Sequence, residues 1–140
     1  MAQETTQEQR VFFRGPLPGM NDILDTAKAF DGRQHRLKQR WNGYQEIKKS
    51  WLRTLVCELR LAKIRPVERA YWLFEWHEPN RLRDPDNVSG AGRKLILDAF
   101  VHAQLIPDDG WDVIAGWEDR FVVSRKPGVL VTIREVQEES

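Results

Sequence analysis

The chain has 140 residues, enough for one domain and too few for two ordinary ones. Its 22 basic and 21 acidic side chains leave a formal net charge of +1, so total charge gives no argument for a nucleic-acid partner. A single cysteine, Cys57, excludes an internal disulfide, and six Trp, six Phe and two Tyr supply core material that needs no structural zinc.

Cys57 falls in an apolar stretch and is expected to be a buried thiol in a reducing cytoplasm. No apolar run approaches the roughly 18 residues of a membrane span, and the polar start MAQETTQEQR lacks the apolar segment of a secretion signal. A soluble cytoplasmic protein without membrane contact is the expectation.

Residues 1–10 read as a disordered tail and 11–140 as one domain. Val11, Phe12 and Phe13 form a short strand, stopped by Gly15-Pro16 and Pro18-Gly19. As an exposed apolar strand it is a candidate intersubunit element. From Met20 to Asn42 the pattern is irregular and basic, a long loop or partly helical excursion. Tyr44, Ile47, Trp51, Leu55, Val56 and Leu59 recur at helical spacing, which predicts a helix over about 41–60.

The aromatic stretch Ala70 to Trp76 predicts a strand, ended by Pro79-Asn80. After a flexible Ser89-Gly90-Ala91-Gly92, a second helix is expected from Arg93 to about Leu105, where Pro107 closes it. Val113–Val123 and Val129–Val136 read as two strands joined as a hairpin across Arg125-Lys126-Pro127-Gly128. The order β-α-β-α-β-β implies an α+β fold: a mixed sheet, with parallel pairing across helices, packed on two main helices.

Charge is unevenly spread. Lys28, Arg33, Arg36, Lys38, Arg40, Lys48, Lys49 and Arg53 stand against only Asp31 and Glu46. Between Asp108 and Arg120 there are five acids and one base. A basic region beside an acidic cluster suits an enzyme holding metal against a polyanion, and equally suits two solvated faces.

The segment Arg81-Leu82-Arg83-Asp84-Pro85-Asp86-Asn87 carries the most chemistry. Two carboxylates two residues apart in an extended segment project to one side, and Pro85 favours extension of the residue before it. Like charges held so close repel unless a cation sits between them. Oxygen ligands without Cys or His suit Mg²⁺, with Mn²⁺ as a substitute. A calcium loop is rejected, because Val88, Ser89 and Leu95 occupy its fifth, sixth and twelfth positions. A lone D-x-D is more often a solvated turn or a helix N-cap. Here Asp108-Asp109 follows the second helix and could fold back, Lys94 lies near that helix's start, and Arg81 and Arg83 could hold phosphates.

Read as R-x-R-D-x-D-N, then K-x3-D-A, then an apolar pair, D-D and a strand, residues 81–117 resemble the RusA family of Holliday junction resolvases. The resemblance covers about 76–123. It implies a RusA-like nuclease domain acting in DNA recombination and repair, a homodimer that nicks a four-way DNA junction symmetrically with Mg²⁺. It further implies Asp84, Asp86 and Asp109 as metal ligands and Lys94 as the catalytic lysine. The interval between Asn87 and Lys94 is about four residues longer than the family's. Matching from the helix side keeps Lys94, with Arg93 as substitute, whereas matching from the D-x-D side lands on Gly90. If Lys94 is not catalytic, it is a surface partner of Asp98, four residues on.

Arg81, Arg83, Arg93, Lys28, Arg33, Arg36, Lys38 and Arg40 are the expected DNA contacts. Trp111 and Trp117, near Asp109, are packing residues or platforms for an unpaired base. His35, His77 and His102 lack metal-ligand spacing and read as surface or packing residues. Three rival functions stay open: a nuclease for flaps or forks, a branched-DNA-binding module without activity, and a domain binding a protein partner.

Overall fold

The structure, a computed structural model, describes residues 7–19 and 37–136, with side chains over 7–19 and 45–136. Six elements follow the predicted order: β1 (Glu8–Arg14), α1 (Leu37–Leu61), β2 (Ala70–Glu78), α2 (Pro85–His102), β3 (Ile114–Val123) and β4 (Gly128–Glu135). They form the expected α+β arrangement, one mixed four-stranded sheet with two helices. No helix among the described residues is long and apolar enough to cross a membrane.

The strand order is β1-β4-β2-β3. β2 and β3 run parallel, as the helix between them requires, with Trp76 beside Phe121 and Glu78 beside Val123. β4 lies antiparallel between β1 and β2. The expected β3–β4 hairpin is therefore not formed. Composition gives the reason: Val129-Leu130-Val131-Thr132-Ile133 is apolar enough for a central position, whereas β3 carries Glu118, Asp119 and Arg120 in mid-strand and suits an edge.

β2 alternates, with Ala70, Trp72, Phe74 and Trp76 fully buried and Tyr71, Leu73, Glu75 and His77 half-buried. Trp72, Phe74 and Trp76 stack in a row with centroids 5.9–6.4 Å apart, and Phe100 of α2 meets Trp72 edge-on at 4.9 Å. α1 buries Leu52, Leu55 and Leu59 on one stripe and packs against α2, so the core lies between this sheet face and both helices.

Several boundaries and burials differ from expectation. β1 begins at Glu8, taking in three residues assigned to the tail, because Glu8 to Arg10 pair with Arg134 to Thr132. Val11 and Phe13 are core residues, so β1 is not an exposed apolar strand. Cys57 is exposed, since it falls off the Leu52-Leu55-Leu59 stripe.

Ser89-Gly90-Ala91-Gly92 is not a flexible link. It lies within α2, whose start at Pro85 is eight residues before the expected one. Ser89, Ala91 and Gly92 are buried, and a Cβ on Gly92 would fall 2.7 Å from the Trp76 ring. The small residues let the helix approach the indole closely enough to continue where glycine propensity alone would stop it.

Candidate metal and nucleic-acid site

Asp84 is the N-cap of α2, with extended backbone (φ −70°, ψ 150°), and Asp86 lies in the first helical turn. The D-P-D segment is thus extended only at its first residue. Pro85 at the helix start locks this corner, as a missing N–H costs nothing there. The Asp84 side chain makes no capping hydrogen bond. Both carboxylates are exposed at the positive end of the helix dipole, where negative charge is favoured. Gly19 fits against Asn87 so closely that a Cβ would meet its amide at 2.7 Å, which seats the Leu17–Gly19 segment over the same corner.

Lys94 and Asp109 form a second centre. Lys94 Nζ donates to Asp109 Oδ2 at 2.8 Å and stands 3.1 Å from Asp98 Oδ1. Asp98 Oδ2 lies 3.0 Å from Lys48 Nζ on α1, an ion pair without hydrogen-bond geometry. Lys48, Asp98, Lys94 and Asp109 therefore alternate in sign along a chain from α1 across α2 to the following loop. The hydrogen bond to Asp109 raises the Lys94 pKa above its ordinary value, and the same bond holds the Asp109 carboxyl below the usual range. Lys94 makes the i,i+4 pair with Asp98 that its sequence position allows, and also binds the acidic loop, which was expected to reach the D-x-D pair instead.

The two centres are separate. Asp86 and Lys94 are eight positions apart along the helix, a rise of about 12 Å. Asp109 folds back as expected but meets Lys94, not the D-x-D pair. Among the described residues no three His, Cys, Asp or Glu side chains come together as a metal-holding group. The expected convergence of Asp84, Asp86 and Asp109 is not seen among the described residues, because Asp109 is tied to Lys94, about 12 Å of helix rise from Asp86. Gly90, the alternative lysine position, faces open space.

Arg83 is committed to the scaffold. Its guanidinium donates Nε and Nη2 to the two carboxylate oxygens of Glu78, at 2.9 and 2.7 Å, and Nη1 to the Leu17 carbonyl at 3.0 Å. Arg93 donates Nη1 to Asp119 Oδ2 at 2.6 Å and lies over the Trp117 ring at 4.9 Å; Trp76 Nε1 donates to the other Asp119 oxygen at 3.0 Å. Arg81 is exposed. Lys28, Arg33, Arg36 and His35 lie outside the described residues, as do the side chains of Lys38 and Arg40 on α1.

Trp111 is 92% exposed beside the acidic loop, which excludes a core role. His77 pairs with Glu75 at 2.7 Å and His102 is exposed, in keeping with packing and surface roles. Sequence reasoning gave Lys48 and Asp119 only as members of charged clusters and missed Glu78, which lies beyond the expected strand end at Trp76; the partners of all three lie outside their own elements. No protein-family model matches the chain, and no curated protein matches it.

Proposed function

We propose that this protein is a Mg²⁺-dependent endonuclease that cuts branched DNA, four-way junctions above all, as a homodimer in the cytoplasm during recombination and repair. The observation that carries the reading is the exposed Asp84–Asp86 pair at the start of α2, inside the run R-x-R-D-x-D-N. The donor set fits a hard divalent ion, because Mg²⁺ is commonly held by one or two carboxylates, with waters and substrate phosphates filling its other positions. Mn²⁺ would substitute. When bound, such an ion lowers the pKa of its water and offsets charge on the phosphoryl oxygens.

Asp84 and Asp86 hold the ion at the helix end. Arg81 faces solvent beside them and contacts a phosphate, with Lys28, Arg33, Arg36, Lys38 and Arg40 as further contacts. Arg83 and Arg93 act through the scaffold: one locks the corner carrying Asp84, the other holds β3 to α2. Lys94 stays cationic, so it offers charge and not a base. A three-carboxylate site requires Asp109 to leave Lys94, and an incoming phosphate at Lys94 competes for that bond. Trp111 provides a stacking surface near the loop.

The separation of Asp109 from the D-x-D pair favours one second reading: a branched-DNA-binding module without cleavage. Incubating a labelled four-way junction, flap and fork with the protein, with and without Mg²⁺, separates them. Paired Mg²⁺-dependent nicks in the junction support the nuclease. Preferred cutting of flaps or forks reassigns the substrate, and Mg²⁺-independent binding without nicks supports the module.

A further inference from the structure

β3 is an edge strand, and among the described residues nothing pairs with its outer side. On either side of its charged centre it leaves apolar residues uncovered: Trp117, Phe121, Val122 and Val123 are all exposed, Trp117 by half its area. Long edges of this kind invite another strand. The geometry points to a second copy of this chain as the occupant, its β3 antiparallel to the first in a register centred on Asp119.

The register follows from the sequence of the strand. Residues directly opposite in an antiparallel pair share a face, so a two-fold axis through the sheet must pass at a residue facing itself. Centred on Asp119, the pairing sets Glu118 opposite the second copy's Arg120, and Arg120 opposite its Glu118. Trp117 meets Phe121, and Gly116 meets Val122. Both kinds of cross-strand pair, opposite charges and aromatic rings, are favourable. Moving the centre by one residue breaks both Glu118–Arg120 pairs and sets Glu118 or Arg120 against its own copy, without the Arg93 and Trp76 donors that hold Asp119.

At the centre Asp119 faces Asp119. Each carboxylate arrives already held by Arg93 at 2.6 Å and the Trp76 indole N–H at 3.0 Å, so the two meet as ion pairs. Within one copy Arg120 Nε already donates to Glu118 at 2.7 Å; two copies close this into a ring of four alternating charges. The product is one continuous sheet built from two four-stranded halves. This interface rests on the homodimer of the proposed function and is the surface on which the two copies meet.

Light scattering or sedimentation of the full chain tests the interface. The wild type is expected at twice its 16.5 kDa mass, and Glu118→Arg or Arg120→Glu alone to weaken the dimer at least tenfold. An equimolar mixture of the two variants restores a dimer of one copy each, as does Glu118→Arg with Arg120→Glu in the same chain. Both positions are half-buried or exposed on the strand surface, so circular dichroism should stay native. A monomeric wild type, single variants that dimerise like it, or a mixture that stays monomeric overturns the interface. Because the readout is mass, loss of junction cleavage with the dimer intact counts against the nuclease alone.

Discussion

The Asp109 carboxylate accepts a 2.8 Å hydrogen bond from the Lys94 ammonium, and through it the loop between α2 and β3 is tied to the middle of the helix. That contact decides how the acidic residues are distributed. It holds one carboxylate about two helical turns from the pair at the N-terminus, and it gives the lysine two anionic partners.

The bond has a signature in pH. Asp109 titrates below its ordinary value, so its contribution is present above the unfolded pKa near 4 and disappears as pH falls through the lower folded value. Lys94 titrates above its ordinary value, so its part persists below the unfolded pKa and disappears as pH rises through the folded one. Both hold through neutrality. Asp109→Asn should lower stability by about 0.2–1 kcal/mol at pH 7, as expected of a partly exposed pair. In thermal unfolding followed from pH 7 to pH 2, the gap to wild type should narrow below pH ~4. A gap that widens in acid rejects the assignment.

The carboxylates at the start of α2 should show their role in metal binding and cleavage. Asp84→Asn and Asp86→Asn are expected to abolish Mg²⁺-dependent nicking and to weaken Mn²⁺ binding, read by electron paramagnetic resonance. Their cost in stability should stay within about 1 kcal/mol, the scale of a carboxylate at a helix N-terminus. Unchanged Mn²⁺ affinity in both variants removes them from the metal site.

Gly90 and Gly92 predict opposite responses to one substitution. A Cβ at Gly90 meets nothing within 4 Å, so Gly90→Ala should stabilise the helix by up to about 1 kcal/mol. A Cβ at Gly92 overlaps the Trp76 ring, and overpacking of this kind costs about 1–3 kcal/mol. Urea denaturation should therefore rank the Gly90 variant above wild type and the Gly92 variant below the Gly90 one by about that amount. Equal midpoints for the two variants contradict the close packing.

Arg81 and Arg83, two residues apart, are expected to separate cleanly. Arg81→Ala should weaken DNA binding and reduce the salt slope by about one, with stability unchanged. Arg83→Lys keeps the charge but loses the paired bonds to Glu78, and should cost about 1.5–3 kcal/mol of stability. Chemical denaturation beside a salt titration of junction binding reads both.

Local signals sufficed for the elements themselves. The spacing of Leu55 and Leu59, the aromatic run Ala70 to Trp76 and the apolar face at Ile96–Phe100 each mark an element by local composition or periodicity, and those signals are written in the chain. The parallel β2–β3 pair also followed, since a helical crossover leaves little alternative. The Arg81–Asn87 motif stood out by residue type alone.

Tertiary structure decided the rest, because it depends on which surfaces meet. β4 entered the centre of the sheet in place of a hairpin because its residues are apolar enough for that position. Ser89–Gly92 became helix because Trp76 accepts a bare backbone at Gly92, a contact between elements that helix propensity cannot express. That helical stretch sets Lys94 about two turns from Asp86, and Asp109 with it. Residue types announced the acids and the lysine; the helix length between them fixed which ones touch.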